Sequence, residues 1–107
     1  MDRLAENKYK LDITKAQMKK FGFRYDHSVD DYTYTFPVYK YKGIVPMIYC
    51  KLGVDEETKI VWLNICDDND RLYAPYYNDE YGKNSIVQDI EKIISKELNK
   101  LGVKKVS

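Results

Sequence analysis

The side chains able to do chemistry form a few small groups. His27 sits in the run Asp26-His27-Ser28-Val29-Asp30-Asp31, and a second acidic run is Asp67-Asp68-Asn69-Asp70. A zinc or transition-metal centre needs several such ligands converging from fixed elements, and one histidine among flexible carboxylates does not supply that. A calcium loop alternates its ligands around a central glycine, and neither run does. Both runs are read as solvated turns, with no metal and no cofactor expected. Counting strand reversals places Asp26–Asp31 at the same end of a sheet as the turn Asp55–Thr58, with Asp67–Asp70 at the opposite end. Cys50 and Cys66 are the 2 cysteines. Cys50 reads as a small core residue and Cys66 points to the other face, so no redox pair is expected. Glu97 falls inside the apolar arc of a helix, where a carboxylate needs a partner. A tyrosine hydroxyl at the core margin is the expected one. Since no nucleophile or base accompanies Glu97, no catalytic residue is assigned.

Aromatic residues make the stronger case. Tyrosine supplies 11 of 107 residues. The connection from Asp67 to Asn84 exceeds the roughly 12–15 residues usual for a structureless loop. It carries Arg71, Tyr73, Tyr76, Tyr77, Asn78 and Tyr81 around Pro75. Tyrosine and arginine anchor protein interfaces, which makes this loop a candidate binding element. The competing reading is that its tyrosines pack over a sheet edge. A second group, Tyr39, Tyr41, Met47, Tyr49 and Trp62, is expected together on the outer face of a sheet. Lys40, Lys42 and Lys51 would supply charge there.

The elements that must position these groups are legible. Thr14 with Gln17 makes a capping box, Ile13 and Met18 a hydrophobic staple, and Gly22 a left-handed stop, so a helix runs from Lys15 to Phe21. Extended segments follow at Phe23–Asp26, Tyr32–Tyr41, Val45–Val54 and Lys59–Cys66, separated by turn residues. A four-residue connection would pair Val54 with Lys59, Leu52 with Val61, Cys50 with Leu63 and Ile48 with Ile65. Val54, Leu52, Cys50, Ile48, Val61, Leu63 and Ile65 then share the core face. Tyr32, Tyr34, Phe36 and Val38 should join them, with a bulge at Pro37 turning Tyr39 and Tyr41 outward; a one-residue slip would reverse these faces, and the first register is preferred because it buries Phe36 and exposes threonines. Ser85 with Gln88 is a second capping box, opening a helix from Ile86 to Leu101. Ile86, Val87, Ile90, Ile93, Ile94, Leu98 and Leu101 form its apolar stripe, and Gly102 ends it.

The fold class is therefore α+β: a short N-terminal helix, an antiparallel sheet of three to five strands, and a long C-terminal amphipathic helix packed on one sheet face, in the order α-β-β-β-β-α. Residues 13–107 form a single domain. Residues 1–12 are polar and expected to be ordered only by docking. The order helix, three strands, helix is shared by double-stranded-RNA-binding domains and phosphotyrosine-binding Src-homology domains. The residues exclude both. The last helix opens on Asn84, Ser85, Gln88 and Asp89 rather than on lysines, and the central strands hold no phosphate-binding arginine.

Net charge is +1, which advertises neither nucleic acid nor membrane as an obligatory partner. The charge is unevenly spread, at +4 over residues 1–25, −6 over 26–82 and +3 over 83–107. Of the 18 basic residues only Arg3, Arg24 and Arg71 are arginine, so few planar forks are available for bidentate phosphate or guanine recognition. No apolar run suits a membrane span or the core of a signal peptide, so a cytoplasmic location without a membrane partner is expected. The Lys/Ile/Tyr/Asn bias suits an AT-rich genome, such as one carrying small accessory proteins of bacterial mobile elements. The leading functional expectation is a small non-catalytic protein-interaction or accessory module using tyrosine-rich surface. The alternative is a single-stranded nucleic-acid-binding module using the Trp62/Tyr39/Tyr49 face, and an enzyme without recognisable motifs ranks third. Composition leaves the oligomeric state open.

Overall fold

The strongest local signals fold as read. In the computed structural model, which describes residues 3–78 and 85–106, helix α1 spans Lys15–Phe21. The Gln17 backbone N–H donates to Thr14 Oγ1 at 3.2 Å, and Thr14 N–H donates to Gln17 Oε1 at 2.8 Å, closing the capping box. Gly22, at φ +99°, ends the helix, and Phe23 N–H returns to the Met18 carbonyl at 2.9 Å. Met18 and Phe23, the apolar pair at this end of the helix, are both buried.

The sheet is larger than expected, with six strands in place of three to five. β1 is Lys8–Lys10, β2 Arg24–Asp26, β3 Asp31–Tyr41, β4 Val45–Val54, β5 Ile60–Asp67 and β6 Lys104–Val106. Their order across the sheet is β2-β3-β4-β5-β1-β6, antiparallel throughout. The N-terminal segment forms a 3₁₀ turn at Leu4–Glu6 and then inserts β1 between β5 and β6. Helix α2, Ala74–Tyr77, opens on Pro75 within its first turn, and helix α3 spans Ser85–Leu101. The helix is assigned from Ser85, one residue before the expected Ile86.

One face of the sheet is committed to the core. Val54, Leu52, Cys50, Ile48, Val61, Leu63 and Ile65 are all buried, as are Tyr32, Phe36 and Val38, with Tyr34 half-buried beside them. Val87, Ile90, Ile94, Leu98 and Leu101 of α3 are also buried in this core. The helix's apolar arc is narrower than its sequence implies, since Ile86 is half-buried and Ile93 is 39% exposed. Glu97 accepts a hydrogen bond from the Tyr34 hydroxyl at 3.0 Å, the expected partner for a carboxylate at the core margin.

The β4–β5 register differs from the expected one by two residues, pairing Val54 with Val61, Leu52 with Leu63, Cys50 with Ile65 and Ile48 with Asp67. Asp55 is the cause. Its Oδ1 accepts the N–H groups of Glu57 and Thr58, and its own N–H donates to the Ile60 carbonyl, so the turn closes one pair later. Lys59 adopts φ +64° to complete it. A shift of two preserves which side chains face inward, so the core face survives the error.

Candidate functional site

The long connection binds the chain to itself. Tyr76 is fully buried, donates its hydroxyl hydrogen to Glu91 Oε1 of α3, and accepts the Ala5 N–H at 3.0 Å. Leu4 N–H donates to the other oxygen of Glu91 at 3.0 Å, while Arg3 Nε donates to the Tyr76 carbonyl at 2.9 Å. Burial pushes the Tyr76 hydroxyl far above the ordinary tyrosine value, and the Glu91 hydrogen bond adds to the rise. Tyr77 is half-buried and its hydroxyl accepts the Ile65 N–H at 2.9 Å, while Tyr73 N–H donates to the Ile65 carbonyl at 2.8 Å. These two bonds occupy the stretch of β5 that β1 does not pair, so the segment caps a bare strand edge. Tyr76 is thereby corrected from binding candidate to core residue, and Tyr77 to an edge cap. Arg71 and Asn78 stay exposed, Tyr73 is half-buried, and Tyr81 lies outside the described residues.

The sheet candidates do not form one cluster. Trp62 and Tyr49 share the outer face, opposite Gly53 and Cys66 respectively. The row Lys51–Asn64 lies between them, which separates the two aromatics by about 13 Å along the strands. Tyr39 is corrected to the helix side. The bulge after Pro37 sets it opposite core-facing Ile48, and it packs half-buried against the core. Tyr41 and Met47 are exposed further out along the hairpin.

At the centre of the outer face the Lys51 ammonium pairs with Asp26 Oδ2 at 2.8 Å. That contact, with bonds from the Ser28 hydroxyl and N–H, holds the Asp26 carboxyl down at about 2. Around the pair lies a groove of about 370 Å³ lined by Asp26, Thr35, Tyr49, Cys66, Asp67 and Asp70, among others. The backbones of the two acidic runs lie at opposite ends of the strands, as expected, but the Asp26 side chain of the first run lines a common groove with Asp67, Asp68 and Asp70 of the second. Asp26 points across Thr33 and Thr35 toward the strand end that carries Asp67–Asp70. Cys66 faces outward as read, yet it is buried, and its thiol is pushed up by that burial and by the nearby aspartates. His27 is exposed and edge-on to Tyr25, with ring centroids 4.8 Å apart.

Two features of this face escaped the sequence. The Trp62 indole lies over Gly53: a Cβ there would stand 2.1 Å from Cε2 and Cζ2 and 2.6 Å from Nε1. Those distances put it above the ring rather than beyond its edge, so the ring is face down on the backbone. Its Nε1 donates to Asp31 Oδ2 at 2.7 Å. The second feature is the far end of the β3–β4 hairpin. β5 pairs with β4 only as far as Ile48, and β2 pairs with β3 only from Asp31 to Thr33. Beyond Ile48 the two strands continue as a bare ribbon to the turn at Lys42 and Gly43, whose φ angles of 52° and 71° suit a tight hairpin.

No family model, curated protein or solved structure matches this chain, so the geometry alone must carry the functional reading.

Proposed function

We propose that the chain is a non-catalytic protein-docking module whose contact element is the ribbon at the end of β3 and β4. The observation that carries this reading is the ribbon's composition. Ile44 is 78% exposed, Val45 53%, Tyr41 50% and Met47 39%, all within a few residues of one turn. A two-stranded ribbon without a third strand is marginal in water, and an apolar one more so, unless a partner covers it. A groove of about 460 Å³ adjoins it on the helix side, where Val38 and Tyr39 face Ile93 of α3. Lys40 and Lys92 line the same groove with one acidic residue, Asp89, and Lys42 stands over the Tyr41 ring. An apolar segment flanked by acidic residues suits such a surface.

A photo-crosslinking residue installed at position 44, in the cells that make the protein, tests this. One discrete protein adduct is expected, lost in Val45→Asp and Met47→Lys. The same adduct arising equally from a probe at Asn69, or none arising from position 44, would overturn the reading.

A further inference from the structure

The pairing of β1 with β6 joins the two basic ends of the chain at one edge of the open face. Tyr9 points into the core, so Lys8 and Lys10 point to the opposite, outer face. Lys104 is the direct partner of Lys10 and therefore shares that face, their Cβ atoms about 5 Å apart. On the other side β1 pairs Tyr9 with Val61, and one further residue in that register sets Lys8 opposite Trp62. The strand spacing puts the Lys8 backbone about 5 Å from that of Trp62, with Lys10 about 7 Å further along the strand, while the indole itself leans to the other side of β5, over Gly53 of β4. Among the described residues the salt bridges are Lys15–Glu56 and Lys51–Asp26, and neither involves this lysine triad.

We propose that Trp62 and the triad Lys8, Lys10 and Lys104 form a binding site for single-stranded nucleic acid, with a base stacked on the outward face of the indole and backbone phosphates on the lysines. Like charges directly opposed across a ladder destabilise it, and a phosphodiester chain relieves that repulsion. Trp62 is half-buried, with one ring face lying on Gly53 and the other directed away from the sheet. An unpaired base fills that face. A duplex presents no such base there, whereas a single strand offers a stacking base with every phosphate. The triad contains no arginine fork, so binding is indifferent to sequence. Asp31, bonded to the indole N–H, and beyond it Asp26 and the Asp67–Asp70 run keep the phosphates off that side of the ring and direct the polyanion toward the β1–β6 edge. The ribbon lies elsewhere, and this inference stands whether or not the ribbon docks a protein.

Titration of the full chain with a short oligothymidylate, read by the emission of its 1 tryptophan, tests the proposal. Quenching at low salt is expected. Three phosphate contacts imply that a tenfold rise in salt weakens binding about a hundredfold. Lys10→Gln and Lys104→Gln should each flatten that salt dependence, with thermal unfolding unchanged or slightly raised as the opposed charges are relieved. Trp62→Phe, followed with a labelled oligonucleotide, should bind more weakly with the same salt slope. Absence of quenching at low salt overturns the proposal. So does equal quenching by polyglutamate, which marks a site for acidic protein, or equal binding of duplex DNA, which removes the stacking.

Discussion

Trp62 and Gly53 are cross-strand partners in which the indole occupies the space a side chain at position 53 would need. The contact fixes the ring's plane, and the bond from Nε1 to Asp31 at 2.7 Å fixes its direction. Gly53→Ala places a methyl 2.1 Å from ring atoms of Trp62, so the indole must lift and surrender that bond. Overpacking of this kind costs about 1–3 kcal/mol. Urea unfolding should show that loss together with a red-shifted emission. Unchanged stability and emission would mean the ring does not rest on Gly53.

Tyr76 ties three separate segments together, and its hydroxyl is the knot. Tyr76→Phe leaves the buried Ala5 N–H without its acceptor and one oxygen of Glu91 without its donor, a loss of about 1–3 kcal/mol at neutral pH. The fold raises the hydroxyl's pKa, so it favours the protonated form. The stabilisation is therefore complete below the ordinary value of 10.0 and fades as pH rises above it. Denaturant unfolding of both forms from pH 7 to 11 should show the gap narrowing with alkali. A gap that widens would contradict this arrangement.

Asp26 behaves in the opposite sense. Its carboxyl is lowered from 3.8 to about 2 by Lys51 and Ser28, so the fold favours the ionised form. That contribution is complete above pH 4 and disappears as pH falls through the folded value. Both partners are close to solvent, so the effect should be small and salt-sensitive. Asp26→Asn should lower stability at pH 6, and the loss should shrink steadily as pH falls through the folded value of about 2. An equal effect at both ends of that range would show that the ion pair is not what holds the carboxyl.

What was legible in the sequence had short-range causes. Thr14, Gln17 and Gly22 fix α1 through bonds made within a few residues, and the alternation from Ile48 to Val54 fixes the core face. The misreadings had long-range ones. Lys8-Tyr9-Lys10 and Lys104-Lys105-Val106 carry no strand periodicity worth reading, because each becomes a strand only by pairing with the other and with β5. Asp55 moved a register through two side-chain bonds that composition does not announce. Tyr76 was indistinguishable from its neighbours as an interface anchor. Its burial depends on Glu91, Ala5 and Arg3, which lie far away in the chain. The lysine triad was beyond reach for the same reason, since its members lie at opposite ends of the sequence.

The open face can be interrogated through its single tryptophan, comparing iodide with caesium as quenchers at low ionic strength. With Lys8, Lys10 and Lys104 on the same sheet face across β5 from the ring, and Asp31 bonded at its edge, iodide should quench more efficiently, and that preference should vanish in Lys8→Glu/Lys10→Glu. Caesium quenching as strongly as iodide, or a ring that neither ion reaches, would contradict the placement of Trp62 on an open, lysine-flanked face.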